Sequence, residues 1–240
     1  GKSPHVVFAD AEMDNAVNGV ISGIFAATGQ TCIAGSRLLV QRSIHDEFVD
    51  RIIKLAKTAR MGDPLDVTTQ VGPITTPPQF QRVMDYIDIA KKEGAETVLG
   101  GGRPTEAAFR EGYFVQPTIF TGVTNTMRIA REEVFGPVLA TIPFDDEEEA
   151  LAIANDSSYG LAAGFWTQDM RRALRFSASL QAGTVWVNTY RVLSYMSPLG
   201  GYKHSGIGRE NGQASIMNYL QTKSVMISSA TDVANPFIMR

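Results

Sequence analysis

The chain has 240 residues, 44% hydrophobic, 20% charged and 9% aromatic, proportions that exclude a disordered, fibrous or disulfide-dense protein. Its 22 basic and 25 acidic residues leave a net charge of −3 and are spread along the chain, so there is no basic stripe to follow a nucleic-acid backbone. A single cysteine, Cys32, excludes an intrachain disulfide, and the histidines His5, His45 and His204 lack ligand spacing, so no metal site is expected.

In chain order, His5 to Ala9 is a short β-rich run, and Asp14 to Ala27 carries apolar residues at helical spacing. Gly29 to Ser36, with two glycines, interrupts the pattern before Arg37 to Gln41 resumes as a strand. Ile44 to Arg60 is amphipathic, and a second helix is expected from about Pro78 to Glu93, stopped by Gly94. Thr97 to Leu99 precedes Gly100, Gly101 and Gly102, which form a loop and not a dinucleotide fingerprint, since no Gly-x-Gly-x-x-Gly opens a helix there. Tyr113 to Thr121 reads as a strand. Strands at Val138 to Phe144, Leu161 to Thr167 and Gly183 to Asn188 then alternate with helices at Glu147 to Ala154 and Met170 to Leu180. This alternation predicts an α/β fold with a mostly parallel sheet.

Residues 1–212 are expected to form the α/β domain and residues 213–240 a tail. In the tail, Gln213 to Tyr219 reads as a helix and Lys223 to Ser228 as a strand without a local partner, the mark of an intersubunit edge. Apolar stretches such as Val20 to Ala27 are broken by Ser22 and Gly23 and fall short of the ~20 residues a membrane span needs. Nothing at Gly1 to Pro4 resembles a signal peptide, so a soluble cytoplasmic protein is expected.

Cys32 is the residue with the clearest chemistry. A thiolate is both a strong nucleophile and an acceptable leaving group, and a Gly-flanked loop gives a carbonyl access to it. By itself a lone cysteine is more often a small buried hydrophobe.

The surrounding segment, Gly29-Gln30-Thr31-Cys32-Ile33-Ala34-Gly35-Ser36-Arg37, resembles the catalytic-cysteine segment of the aldehyde dehydrogenase superfamily. Further segments follow in the family's order. Gly1-Lys2-Ser3-Pro4 is similar to the end of its Glu-Leu-Gly-Gly-Lys-Ser-Pro motif, and Glu132-Glu133-Val134-Phe135-Gly136-Pro137-Val138 to its cofactor-ribose motif. Asn155-Asp156-Ser157-Ser158-Tyr159-Gly160-Leu161 resembles a structural segment. Gly183 to Asn188, with Ser197 to Gly206, resembles the substrate-side loop. The resemblance implies three αβα layers, a homo-oligomer (dimer or tetramer), and oxidation of a small aldehyde with NAD or NADP through a thiohemiacetal and a thioester on Cys32. The backbone N–H of Cys32 would serve the oxyanion.

By the same resemblance, Glu133 accepts the hydroxyl protons of a ribose and Phe135 packs near the nicotinamide. Thr31 and Ile33 flank the nucleophile on the substrate side. Asn188 either stands near the aldehyde or forms a turn. Val192, Leu193 and Leu199 shape the pocket; all three are aliphatic, which disfavours a quaternary-ammonium aldehyde. Arg37 is expected to be an internal ion-pair partner, and Lys203 and His204 to be solvated. The family's water-activating glutamate and its cofactor-binding domain would precede Gly1, so the 240 residues alone are expected to be inactive. The competing readings are a CoA-acylating aldehyde dehydrogenase, a non-catalytic assembly module, and a cysteine hydrolase that would need a histidine beside Cys32.

Overall fold

The computed structural model describes residues 1–232 and 235–238. Four strands form the centre of a seven-stranded sheet: β1 (Pro4–Val7), β2 (Arg37–Gln41), β5 (Val138–Phe144) and β7 (Ala162–Trp166). They are buried on both faces, which is why their sequences are nearly continuous in apolar residues and do not alternate. Outside them lie β4 (Thr118–Thr121), then β3 (Glu96–Leu99) at one edge, and β8 (Thr184–Val187) at the other. The order is β3-β4-β5-β2-β1-β7-β8, parallel throughout except for β3 against β4. Pro143 is tolerated inside β5 because β4 pairs with that strand only as far as Ala140.

Side-chain alternation sends neighbouring strand residues to opposite faces. Val7, Leu38, Val40 and Trp166 face the helices α1 (Met13–Phe25) and α2 (His45–Ala56). Val6, Phe8, Leu39 and Phe165 face α5 (Glu147–Asn155) and α6 (Met170–Ser179), while Phe120, Ala140 and Ile142 continue that layer against α3 (Pro77–Lys92) and the single turn α4 (Arg128–Arg131). The result is the three-layer α/β fold expected from the alternation.

Local chemistry fixes the helix starts. Thr76 caps α3, where Pro77 and Pro78 occupy the first turn. Asp146 accepts from Glu149 N–H at 2.9 Å while Glu149 reaches back to Asp145 N–H at 2.6 Å, and Asp169 caps α6.

Three expectations change. β4 begins at Thr118, not Tyr113: Gln116 N–H is drawn to the Gly102 carbonyl, and Pro117 has no N–H to give. Gln213–Tyr219 is a run of exposed 3-10 turns instead of an α-helix. Lys223 to Ser228 forms no strand and is unpaired among the described residues; Val225, Met226 and Ile227 are exposed there. Tail residues 233, 234, 239 and 240 lie outside the described residues. No helix among the described residues is long and apolar enough to cross a membrane. A two-stranded ladder of β6 (Tyr159–Gly160) and β9 (Tyr202–Lys203) stands at the amino end of β7.

Candidate active site

In open α/β sheets ligands usually gather at the carboxyl ends of the strands. Here the candidate residues gather at the amino ends, on the connections that enter β1, β2 and β5.

Cys32 sits on a tight turn between α1 and β2. Beyond α1 the chain reverses through three consecutive left-handed residues, Ala27 (φ 52°), Thr28 (φ 55°) and Gly29 (φ 67°). Ala34 N–H then donates to the Thr31 carbonyl at 3.0 Å, making Cys32 and Ile33 the central pair of a turn, and Gly35 N–H donates to the Gly23 carbonyl at 3.1 Å to tie that turn to α1. Cys32 is exposed. The closing bond of the turn does not use the Cys32 N–H. Gln30 anchors the approach, accepting from Thr75 N–H at 2.9 Å and donating to the Pro73 carbonyl at 3.4 Å.

The Glu133 segment packs directly on this turn. A Cβ on Gly29 would lie 2.0 Å from the Gly136 carbonyl oxygen, so glycine is required there both by φ and by the close approach. The backbone nitrogen of Gly1 lies against the Glu133 carboxylate, and a Cβ on Gly1 would come within 3.2 Å of the Cys32 carbonyl oxygen. Gly1, Cys32 and Glu133 thus form one rim. The adjacent acidic pair divides its work. Glu132 is held by Arg128 and Tyr86, which pull its carboxyl down to about 2, whereas Glu133 faces the rim with its side chain 29% exposed. Helix α3 fixes the segment. Gln79 Nε2 donates to the Val134 and Phe135 carbonyls at 2.8 and 2.9 Å, and Arg82 donates to the Glu133 carbonyl at 2.7 Å. Phe135 is half-buried with φ 60°, a conformation unusual for a bulky residue.

The remaining expected site residues are not all brought to that rim. Thr31 is half-exposed beside Cys32, but Ile33 is only 5% exposed and packs inward on Ala162, Trp186 and Tyr190, so it has no substrate-facing surface. Asn188 follows β8 at the carboxyl end of the sheet. Its Oδ1 accepts from Thr167 N–H and its Nδ2 donates to the Thr167 carbonyl, both at 2.9 Å, at φ 53°. From there the chain runs back along β8, and Val192, Leu193 and Leu199 line a groove of about 350 Å³ beside that strand. Val192 and Leu193 are exposed and Leu199 is half-buried.

Arg37 is fully buried, and its bonds go to Asn125 Oδ1 (2.8 Å) and to the Ile153 and Ala154 carbonyls (2.6 and 2.8 Å) at the end of α5, in place of the expected ion pair. Lys203 is not merely solvated: its amine donates to the Asn155 and Ser157 carbonyls at 2.6 and 3.1 Å, fastening the 197–206 loop to the same helix end. Lys2 is buried between Glu133 and Arg37, and desolvation with the Arg37 charge lowers its amine to about 7. His5 is also buried, and desolvation lowers it to about 3. Its Nε2 accepts from the Trp166 indole at 2.6 Å, so it is no base for Cys32; His204 is exposed and bonded through its backbone to Ser158.

The aldehyde dehydrogenase family profile matches residues 1–225. The chain belongs to the aldehyde dehydrogenase family. A betaine aldehyde dehydrogenase of Mesorhizobium japonicum is 49% identical over 237 residues, covering 99% of this chain and 48% of that protein. One of Brucella anthropi is 47% identical over 227 residues, covering 95% and 47%. Among solved structures, betaine aldehyde dehydrogenase of Staphylococcus aureus in complex with NAD+ superposes with a TM-score of 0.96 at 40% identity, over 99% of this chain and 47% of that one. An aldehyde dehydrogenase of Bacillus cereus in complex with NAD+ gives 0.92 at 45%, over 96% and 46%. The chain spans about half the length of these relatives.

Two residues that shape the Cys32 rim, Tyr190 and Gln79, were not singled out from sequence. Tyr190, whose hydroxyl donates to the Ile33 carbonyl at 2.9 Å, lies in a segment without periodicity. Gln79 is one polar residue on an amphipathic helix. Only the positions of the glycines that make room for them carry a signal, and that signal needs the fold to be read.

Proposed function

We propose that this chain carries the nucleophile-bearing half of an NAD(P)-dependent aldehyde dehydrogenase of the cytoplasm, with Cys32 as the nucleophile. The observation that carries the reading is the rim itself: an exposed thiol on a tight turn, locked against Glu133 by the contact of Gly29 with Gly136.

The Cys32 thiolate adds to the aldehyde carbonyl carbon. A C–S bond forms, and the carbonyl electron pair moves to oxygen, where the Cys32 N–H meets it. Loss of hydride from the same carbon leaves a thioester, and attack by water breaks the C–S bond, giving a carboxylic acid and the free thiol. A nicotinamide cofactor, when bound, supplies the hydride acceptor. The residues present fit such a group: Glu133 offers a part-exposed carboxylate on the Cys32 rim, suited to two ribose hydroxyls, and Phe135 is held beside it by Gln79. A thiol such as coenzyme A in place of water would make the enzyme CoA-acylating. Activity requires the sequence that supplies the cofactor domain and the water-activating base, so the 240 residues alone do not turn over.

Val192, Leu193 and Leu199 present no aromatic face of their own to a cation, so a short aliphatic aldehyde is placed ahead of the betaine aldehyde for which the relatives are named. Exposed Val225, Met226 and Ile227 supply the edge for a homo-oligomer. The test is the steady-state rate with propanal and with betaine aldehyde, using NAD and NADP, for a chain extended upstream. The reading requires activity that Cys32→Ser abolishes. An inactive extended chain whose Cys32 is also unreactive toward iodoacetamide would transfer the function to assembly.

A further inference from the structure

Tyr190 occupies a slot made of absent side chains. Added Cβ atoms on Gly23, Gly35 and Gly164 would come 3.1 Å from its Cδ1, 3.0 Å from its hydroxyl and 2.5 Å from its Cδ2. The ring is 7% exposed, lies parallel to the His5 imidazole at 4.3 Å and 12°, and leans on Trp186 at 4.6 Å. His5 is itself fixed, since Trp166 Nε1–H donates to its Nε2 at 2.6 Å and requires that nitrogen to be unprotonated. The slot ends at the nucleophile turn. There the Tyr190 hydroxyl donates to the Ile33 carbonyl at 2.9 Å, while the N–H of the same peptide unit, that of Ala34, donates to the Thr31 carbonyl at 3.0 Å.

The peptide plane between Ile33 and Ala34, one residue beyond Cys32, is therefore pinned at both ends. We propose that Tyr190, seated on the His5 ring, is a positioning residue that holds the Cys32 turn in the geometry the reaction needs. The inference rests on Cys32 being the nucleophile. Without the hydroxyl, the Ile33 carbonyl loses its buried partner and the peptide plane is held only by Ala34. The thiol and the Cys32 N–H then sample orientations that bind substrate but do not react, so kcat falls and KM does not.

The test uses Tyr190→Phe, which keeps the ring and its stack, alongside Cys32→Ser. In the extended enzyme, Tyr190→Phe is expected to lower kcat about tenfold, the factor that corresponds to ~1.4 kcal/mol, with the KM for aldehyde little changed. In the 240-residue chain, amide exchange over residues 30–36 should accelerate by a similar factor while the rest of the sheet stays as protected as before. Gly35→Ala, whose methyl would press on both His5 Nδ1 and the Tyr190 hydroxyl, should reproduce both effects through a different residue. If Cys32→Ser is dead and Tyr190→Phe retains full kcat and unchanged exchange, Tyr190 has no positioning role and the nucleophile assignment stands. If Cys32→Ser stays active, the nucleophile assignment itself fails, and the role of Tyr190 fails with it.

Discussion

Replacing Lys2 by methionine should stabilise the chain, and by an amount that depends on pH. The Lys2 amine is 1% exposed and has no hydrogen-bond partner among the described residues, and its stem runs through the interior. Burial and the neighbouring Arg37 lower it from 10.5 to about 7. Between these values the unfolded chain binds a proton that the folded chain does not, so stability rises with pH across that window. At about 1.36 kcal/mol per unit the penalty is ~4–5 kcal/mol at and below pH 7 and vanishes above about 10.5. Methionine keeps the apolar stem without the charge. Urea unfolding of both proteins at pH 6, 7, 8, 9 and 10 isolates the residue, because every other titrating group cancels in the difference. The advantage of Lys2→Met should be largest at pH 6–7 and shrink steadily toward pH 10. A difference that is constant with pH, or a variant less stable than the parent at pH 7, would refute the reasoning.

His5 should steepen acid unfolding: folded it is lowered from 6.5 to about 3, so stability is lost as pH falls through that window, and His5→Phe should remove about one proton from the slope of urea stability against pH. Gly29→Ala should cost ~3 kcal/mol or more, combining a left-handed alanine with a Cβ 2.0 Å from the Gly136 oxygen, and should be visible as a large fall in the urea midpoint. Lys203→Met removes both bonds to the end of α5, so limited proteolysis should cut within residues 197–212 about tenfold faster while the unfolding midpoint moves little.

What the sequence made legible was what depends on local pattern. The apolar runs of β1, β2, β5 and β7 and the starts of α3, α5 and α6 stand within a residue or two of where they were expected, because burial on both faces and short-range hydrogen bonds leave few alternatives. The Cys32 turn was visible through its two glycines. Which of Glu132 and Glu133 faces the rim was not visible from their charge, since it depends on Arg128 and Tyr86 capturing the first. Asn188 was ambiguous because a strand end followed by a turn looks the same at either end of a sheet. Its bonds to Thr167 are made only once β7 and β8 are paired. Lys203 looks like a surface cation in a one-dimensional reading, and Arg37, though expected inside, lacks the ion pair expected for it. Both instead bond to carbonyls at the end of α5, contacts made by residues far apart in the chain.

The central claim is that Cys32 forms the covalent bond to substrate. Intact-protein and peptide mass spectrometry of the upstream-extended chain, quenched in acid within the first turnover after mixing with propanal and NAD, tests it most directly. The account predicts a propionyl adduct on the peptide containing Cys32, absent from Cys32→Ser. An active enzyme whose Cys32 peptide stays unmodified, or an adduct carried by any other residue, would contradict it.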